Sequence, residues 1–426
     1  MDASRPPTLD GAHVMLRLGR LMVASGADTA HVQQAVTAFA ERLGYRVHLL
    51  VCLEGLILTL DDGKGFHTRL GPAIPGTSVN MGALAALNDI RHRVIAAPTD
   101  LTGLDKALDE VERGGNRYPR WLVAIGMGIT AASLARLFGG VWTVVGVSFL
   151  VGVVTQMLRQ HLAAAATNPF AAAGVCAFGG GLVGTLAMNA FPDTSPALCL
   201  VAAGMILVPG VPLLNGLRDT LGGHVGNGIG RLMLSAVTIL AITLGLLVAA
   251  GLVGHSLPVD SEQPLLPSIE DALFSALAGT GFALLFNVPP RAAWVCVICA
   301  MTGHGLRTAV EHLGVNLSIA CLIGAFSAAV VARTLAGRFQ VPAVTFAFPG
   351  IVAMIPGSYA FRAAIGALSI MESAAAAPPA LIGETLGLIV TSAVVTASIT
   401  VGLCLALAIP LSAQPSGHMP SKEGLQ

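Results

Sequence analysis

The sequence predicts an α-helical membrane protein: ten transmembrane helices arranged as two inverted five-helix repeats, preceded by a small cytosolic α+β domain. Composition is the first reason, because 54% of the 426 residues are hydrophobic and only 11% are charged, whereas soluble domains carry about 25%. The second reason is charge distribution. Of the 23 basic and 23 acidic residues, 25 precede Tyr118, which separates a polar N-terminal part from an apolar remainder. The third is a repeated pattern of helix breaks, described below.

These observations divide the chain into four parts. The predicted divisions are a cytosolic α+β domain at 1–117, a first five-helix repeat at 118–258, a second at 259–411, and a disordered cytosolic tail at 412–426. The N-terminus lacks the basic and apolar regions of a secretory signal, so both termini are expected in the cytosol. The seven cysteines are scattered and predict neither a disulfide framework nor a zinc site.

The N-terminal part combines helical and β-like patterns. Apolar spacing of three and four residues predicts helices, and alternating β-branched residues predict strands. The expected order is helix 12–24, helix 28–43, β-like segments 46–60 and 65–70, helix 79–95 and helix 100–113. Gly26 should end the first helix, and Asp28 or Thr29 should cap the second. Because the five histidines here form no HExxH pattern and no GxSxG pattern is present, a regulatory or assembly role is expected.

From Trp121 onward, apolar stretches approach the roughly 20 residues that span a bilayer. The ten predicted spans are 121–137, 141–158, 169–190, 196–217, 230–253, 269–287, 292–309, 316–337, 342–365 and 380–410. Seven arginines fall on predicted cytosolic flanks and three on external ones, which agrees with the positive-inside rule. The cytosolic set is Arg117, Arg120, Arg159, Arg218, Arg231, Arg291 and Arg338; the external set is Arg136, Arg307 and Arg362.

An internal repeat relates the two halves. The segment "NPFAAAGVCAFGGGLVGTLAMNAF" (168–191) overlays "NLSIACLIGAFSAAVVARTLAGRF" (316–339) without gaps. Deleting one loop residue then places Pro209-Gly210 on Pro356-Gly357. Because five spans are an odd number, the second unit must enter the membrane from the opposite side, as in the inverted repeats of many secondary transporters.

The paired Pro-Gly steps predict matching helix breaks in spans four and nine. Proline removes a backbone donor and glycine permits the bend, and carbonyls freed at lipid depth are tolerated where they line a cavity. A shared central site follows. Half-helices beginning near Val211 and Ser358 could turn their N-terminal ends toward a substrate carboxylate.

Candidate residues cluster around these breaks. The predicted substrate-binding set is Gly210, Asn215, Thr345, Gly357, Ser358 and Tyr359, with Pro209 and Pro356 as the helix breaks. For the polar members, hydrogen bonding between helices is an equally simple explanation. Asn168 and Asn316 open spans three and eight, where helix capping accounts for them.

Three ionisable residues at depth are candidates for proton coupling or gating. Glu384 is the first, with an interfacial carboxylate as the alternative. Asp219 beside Arg218 could form a cytosolic gate pair. His304 is either a proton relay or a packing residue. The pattern predicts no catalytic residue, no metal ligand and no cofactor beyond a proton gradient. The expected partners are a small-molecule substrate and the lipid bilayer; the zero net charge does not indicate nucleic acid, and a homo-oligomer stays open.

Several stretches resemble one known family. They are "LMVASGADTAHVQQAVTAFAERLG" (21–44), "YPRW" (118–121), "GG" (139–140) and the paired "VPG" and "IPG" steps. Together they resemble the threonine/serine exporter family, whose members carry a cytosolic N-terminal domain and ten spans in two five-span halves. The resemblance implies export of L-threonine and L-serine by proton antiport across the inner (plasma) membrane.

Other functions stay open. The same family is similar to two-subunit transporters for which dicarboxylates such as succinate are proposed cargo, so dicarboxylate export is the alternative. A more remote one is an intramembrane hydrolase that uses the serine of "GVSF" (146–149) with His304. Another is a membrane receptor that signals through the N-terminal domain.

Overall fold

A computed structural model describes residues 7–61, 65–74, 76, 78–96, 101–191, 197–254 and 265–409. The predicted tail at 412–426 lies outside these residues, and so do residues 62–64 between the two β-like segments.

The N-terminal region contains four helices and one antiparallel sheet. In chain order they are α1 (Pro7–Ala24), α2 (Thr29–Arg42), β1 (Arg46–Val51), β2 (Leu56–Asp61), β3 (Phe66–Leu70), α3 (Met81–Ala96) and α4 (Leu101–Arg113). The strands pair in the order β1-β2-β3, so the long β-like segment folds back on itself at 52–55. Gly26 follows α1 with a φ of +93°, and the Asp28 carboxylate caps α2 by accepting the His31 N–H at 3.2 Å. The predicted order of elements is therefore confirmed, and so are Gly26 after the end of α1 and Asp28 as the cap of α2.

An ion-pair network fastens α1 to α4. The Arg17 side chain is only 11% exposed and contacts Asp105 Oδ1 at 2.5 Å, Asp109 Oδ1 at 2.6 Å and Glu112 Oε2 at 2.9 Å. Hydrogen bonding from Arg17 lowers the pKa of the Asp109 carboxyl below its ordinary value. One guanidinium therefore holds three successive turns of α4.

In the part of the chain that the structure describes, twelve α-helices follow Tyr118. They are α5 (Arg120–Leu137), α6 (Trp142–Ala164), α7 (Pro169–Met188), α8 (Ala197–Met205), α9 (Gly210–Leu221), α10 (Val225–Leu252), α11 (Ser268–Leu285), α12 (Ala293–His312), α13 (Leu317–Phe339), α14 (Val344–Ile351), α15 (Gly357–Ser373) and α16 (Pro379–Ala408). Within the described residues, seven helices are long and apolar enough to cross a membrane, or nine crossings if each bent pair counts once. The chain is therefore a multi-pass helical membrane protein.

The predicted first span, α5, is a helix of 18 residues but is not among those candidates. It carries an arginine near each end, Arg120 and Arg136, which lowers its apolar character. The count of ten spans accordingly stays a prediction.

Both predicted breaks are present, and at each one the chain forms two separate helices instead of one kinked helix. The axes of α8 and α9 differ by 56°, and those of α14 and α15 differ by 47°. Pro209 and Pro356 are the N-cap residues of α9 and α15, so each proline ends a break instead of bending a continuous helix. Proline suits this position because the first turn of a helix does not use its N–H. Before the second break, the chain tightens into a 3-10 turn over Val352–Met354.

Helix starts at the repeat-related asparagines are capped as predicted. Asn168 Oδ1 accepts the N–H of Phe170 at 2.9 Å, and Asn316 Oδ1 accepts the N–H of Ile319 at 3.0 Å. The capping interpretation of both asparagines is confirmed.

The two halves share seven helix pairings. In the first, α5 packs on α6, α6 on α7, α7 and α9 on α10, and α8 on α5, α6 and α7. The second repeats all of these: α11 on α12, α12 on α13, α13 and α15 on α16, and α14 on α11, α12 and α13. Contacts between halves are exchanged in the same way, because α5 packs on α11, α9 on α16 and α10 on α15.

Candidate transport site

The two helix breaks meet in the interior of the bundle. A Cβ atom placed on Gly210 would lie 2.5 Å from Ile355 Cδ1 and 2.8 Å from Val352 Cγ2, both at the second break. A Cβ on Gly357 would lie 2.8 Å from Val208 Cγ2, at the first break. Each glycine thus lets the opposite break approach within side-chain contact, a separation that a larger residue would prevent.

A small cavity lies between the breaks. Its lining residues are Leu134, Met205, Val208, Gly210, Phe282, Val352, Ile355 and Gly357. With the sequence offset that aligns the repeats, these eight form four equivalent pairs: Leu134 with Phe282, Met205 with Val352, Val208 with Ile355 and Gly210 with Gly357. The cavity is therefore lined equally by both halves. Its volume is about 10 Å³, which is room for about one water molecule.

Two buried hydroxyl groups flank the second break. Thr345 on α14 is fully buried and Ser358 on α15 is 1% exposed. Within the described part of the chain, neither hydroxyl oxygen has a hydrogen-bond partner. Because an unpaired buried hydroxyl is costly, these two groups are available to a ligand or a water. Both were predicted substrate contacts, but the cavity lining includes neither of them, nor Asn215 and Tyr359.

Asn215 faces the N-terminal region instead of the cavity. Its amide donates to the Gly26 carbonyl oxygen at 2.9 Å, and its own oxygen accepts from Arg218 at 3.2 Å. Asn215 therefore begins a polar interface that runs along α9 toward the start of α10.

Asp219 continues this interface, with different partners from the predicted one. Asp219 Oδ1 accepts the Thr29 backbone N–H at 2.8 Å, and its Oδ2 lies 3.0 Å from Arg231 Nε. Arg231 also donates to the Ala27 carbonyl oxygen at 2.9 Å. The structure pairs Asp219 with Arg231 and Arg218 with Asp28, because adjacent residues of a helix project in different directions; a gating role for Asp219 stays a prediction.

Arg218 pairs instead with the cap of α2. Its NH1 lies 3.0 Å from Asp28 Oδ2, with the two side chains 14% and 7% exposed. Burial alone would raise the pKa of the Asp28 carboxyl, but Arg218 and His31 lower it overall. We call Asp28, Thr29, Asn215, Arg218, Asp219 and Arg231 the docking cluster. It joins the turn between α1 and α2 to the half-helix that follows the first break.

The N-terminal region also contacts two other helix connections. The Met81 N–H donates to the Phe286 carbonyl oxygen at 2.8 Å, after α11. The Asn88 amide donates to the Gln340 carbonyl oxygen at 3.1 Å, after α13. The C-terminal ends of α9, α11 and α13 therefore all lie against the N-terminal region, at one end of the bundle.

A second ionic cluster lies toward the opposite end. His304 Nδ1 is 2.7 Å from Asp271 Oδ1, with both side chains 5% exposed. Arg307 NH1 is 3.2 Å from His304 Nε2, and Arg307 Nε is 3.1 Å from Glu311 Oε2. We call these four residues the His304 cluster. His304 is thus part of a buried chain of charged groups, whereas Glu384 is exposed near the start of α16.

The serine of the hydrolase alternative is not placed beside His304. Ser148 is fully buried in α6, and its hydroxyl donates to Cys199 Sγ at 3.7 Å. Both ring nitrogens of His304 are occupied by Asp271 and Arg307. The structure does not bring the two proposed members of a nucleophile and base pair together.

Paired helix breaks that enclose a central cavity are typical of secondary transporters. Sequence comparison agrees: residues 13–253 match the family described as "Putative threonine/serine exporter", and residues 271–412 match "Threonine/Serine exporter, ThrE". The chain belongs to the threonine/serine exporter family. The two matches divide between α10 and α11, where the two sets of helix pairings also divide.

Similar curated proteins include threonine/serine exporters and a succinate transporter subunit. A "Threonine/serine exporter" of Corynebacterium glutamicum is 22% identical over 81% of this chain and 73% of its own length. A "Probable threonine/serine exporter" of Mycobacterium tuberculosis is 23% identical over 82% and 68%. A "Probable succinate transporter subunit YjjP" of Escherichia coli is 26% identical over 55% of this chain and 91% of its own length. No solved structure matches this chain.

Proposed function

We propose that this protein exports L-threonine and L-serine across the inner membrane by proton antiport, with substrate binding between the two helix breaks. The observation that carries the proposal is the cavity lined by four pairs of repeat-equivalent residues. In a transporter built from two related halves, the position shared equally by both is the one that each side of the membrane can reach in turn.

The matching helix pairings support an inverted repeat. Each half has six helices, which make five crossings if α5 crosses the membrane and each bent pair counts as one, and seven pairings in one half have a counterpart in the other. An odd number of crossings per half requires the two halves to have opposite orientations. Between the halves, α9 packs on α16 and α15 packs on α10. A two-fold relation between the halves would produce this reciprocal pair of contacts.

The contacts of the N-terminal region support the proposed topology. Three alternate connections, after α9, α11 and α13, all touch this region, as expected if successive helices cross in opposite directions. Two predicted external arginines are also accounted for, because Arg307 lies in the His304 cluster and Arg136 pairs with Glu270 at 2.6 Å. Cytoplasmic termini fit these contacts and the bias of the remaining arginines.

Substrate binding requires the breaks to separate. Ligand sites usually measure hundreds of Å³, whereas this cavity is about 10 Å³. Movement of α9 or α15 away from the centre would enlarge the cavity, and the free hydroxyls of Thr345 and Ser358 flank the same break. Two unpaired hydroxyls suit the amino, carboxyl and hydroxyl groups of a small hydroxy amino acid.

Counterflow into proteoliposomes tests the proposal directly. Vesicles that contain the purified protein and are preloaded with unlabelled threonine should accumulate labelled threonine and serine. In a second assay, a pH gradient across the vesicle membrane should drive net transport of threonine. Succinate is the necessary comparison, because a similar protein is named as a succinate transporter subunit. Accumulation of succinate without accumulation of either amino acid would reject the amino acid assignment, and no flux of any of the three would reject the function.

Two glycine substitutions test the position of the site. Gly210→Leu and Gly357→Leu should abolish counterflow, because both positions already contact the opposite break. Gly387→Leu on α16 is the matched control, since a Cβ there meets no atom within 4 Å. Normal flux in both break variants, with normal expression of all three, would remove the central site.

A further inference from the structure

The hydrogen bonds of His304 define its protonation state. A guanidinium can only donate, since arginine has no acceptor, so His304 Nε2 must accept from Arg307 NH1 at 3.2 Å. The other nitrogen, Nδ1, then carries the ring proton and donates to Asp271 Oδ1 at 2.7 Å. His304 is therefore neutral in this arrangement, with its one free lone pair covered by Arg307.

We propose that His304 is the proton-binding site of transport, and that the proton and Arg307 compete for the same ring nitrogen. Binding adds H⁺ to the Nε2 lone pair, and the Arg307 hydrogen bond to that nitrogen is lost; no covalent bond is broken. The two states of Arg307 are thereby linked to the two protonation states of His304. This inference rests on the proposed function, because it assigns the proton of the antiport.

The surrounding charges make the added proton consequential. Glu311 lies within electrostatic reach of Arg307, His304 and Asp271, and Arg307 and Arg362 both lie near Tyr359 on α15. The Cys321 thiol on α13 and the Tyr359 hydroxyl are further ionisable neighbours, and α14 contributes none. A proton on His304 therefore adds one positive charge inside a low-dielectric cluster, where its effect on Arg307 is strong.

The cluster is next to the second helix break. Met354, the last residue of the 3-10 turn, would touch a Cβ on Gly303, the residue before His304, and its sulfur lies 3.2 Å from the Cβ position of Gly324. The Arg307 Cβ is 3.1 Å from that same position. Protonation of His304 therefore frees Arg307 beside the 3-10 turn that leads into the second break, which links the bound proton to the conformation of that turn.

The His304 cluster lies nearer one end of the helix bundle. Asp271 lies one turn into α11, whose other end reaches the N-terminal region at Phe286. At 1.5 Å per residue, the distance between these two levels is about 22 Å. The proton therefore enters from the end of the bundle opposite the N-terminal region, and the docking cluster lies at the other end.

Paired variants with opposite effects test the proposal in proteoliposomes. In His304→Gln, the threonine accumulation driven by a pH gradient should fall at least tenfold. Exchange of labelled for unlabelled threonine at equal pH should continue. His312→Gln is the control on the same helix. The His312 ring hydrogen-bonds the Leu266 carbonyl oxygen at 2.8 Å, and glutamine can donate to the same atom.

Two neighbours supply a signature that a merely structural role would not give. Arg307→Gln removes the competitor, so the pH midpoint of transport should move to higher pH. Asp271→Asn removes the negative charge that favours imidazolium, so the midpoint should move to lower pH. Shifts in these opposite directions support the proposal even if His304→Gln fails to fold.

The outcomes separate this inference from the proposed function. If the unmodified protein neither exchanges threonine nor responds to a pH gradient, the proposed function fails. If it does both, and His304→Gln keeps the unmodified pH dependence, or the two neighbouring variants leave the midpoint unchanged, then the proton is bound elsewhere.

Discussion

Replacement of Asp219 by asparagine tests whether the N-terminal region is fastened to the half-helix after the first break. Asp219 and Arg231 are 1% and 5% exposed, and 3.0 Å separates their Oδ2 and Nε atoms. Asparagine keeps an oxygen for the Thr29 N–H, which Asp219 accepts at 2.8 Å, but it removes the charge that faces Arg231. The substitution therefore isolates the ionic part of the docking cluster.

The expected cost follows from the burial of the pair. Removing one partner leaves an uncompensated buried charge, which costs about 3–5 kcal/mol. Since about 1.4 kcal/mol corresponds to a factor of ten, docking should weaken by roughly a hundredfold to a few thousandfold. The exposed Arg93–Asp89 pair, at 63% and 59% exposure, is the comparison; Asp89→Asn should cost about 0.5 kcal/mol or less.

Limited proteolysis in detergent measures this difference. Residues 114–119 connect α4 to α5 outside any helix or strand, and trypsin can cut after Arg117 when the N-terminal region leaves the bundle. Asp219→Asn should be cut at least a hundred times faster than the unmodified protein, and Asp89→Asn at its normal rate. Adding Arg231→Gln should restore part of the protection, because a neutral pair removes the unpaired charge. Equal cutting of all four proteins would refute the reasoning.

Two further predictions concern topology and acid stability. In a Cys52→Ser background, a cysteine at Leu313, which is 82% exposed after α12, should react with an impermeant maleimide in intact cells, and one at Ala165 after α6 only in opened cells; the reverse result would invert the topology. Arg17 lowers the pKa of Asp109, so this stabilisation is complete above the ordinary carboxyl pKa of about 4 and is lost as pH falls through the lowered value. Acid should therefore reduce helicity as the α1–α4 contact is lost, and Arg17→Gln should make this change smaller when it is measured by circular dichroism. An acid transition identical to that of the unmodified protein would contradict the prediction.

The fold followed from local patterns, which is why it could be predicted. Apolar spacing and caps located the four N-terminal helices within two or three residues, apart from the start of α1, because those signals act within one or two turns. The breaks at Pro209 and Pro356 were predictable for the same reason. The first span was the weakest element, since the arginines at both ends of α5 dilute its apolar signal.

The site depended on long-range contacts and was predicted only in part. Gly210 and Gly357 line the cavity, because the break positions fix them. Leu134 and Phe282 were missed, although the repeat offset makes them equivalent; an apolar residue in an apolar helix gives no signal of its own. The partner of Asp219 was missed because Thr29 is 190 positions away in the chain, and no local pattern indicates that contact.

The two ionic clusters explain how a symmetric core could work in one direction. The cavity treats both halves alike, but the docking cluster acts on α9 and the His304 cluster lies beside the 3-10 turn before the second break. Their repeat-equivalent positions differ in chemistry: His304 corresponds to Gln156, and Asp219 to Gly366. A glutamine does not take up a proton and a glycine makes no ion pair, so each control exists in one half alone. In the proposed antiport, proton binding would therefore act at the second break while α9 stays fastened at the first, an asymmetry that two otherwise equivalent halves would lack.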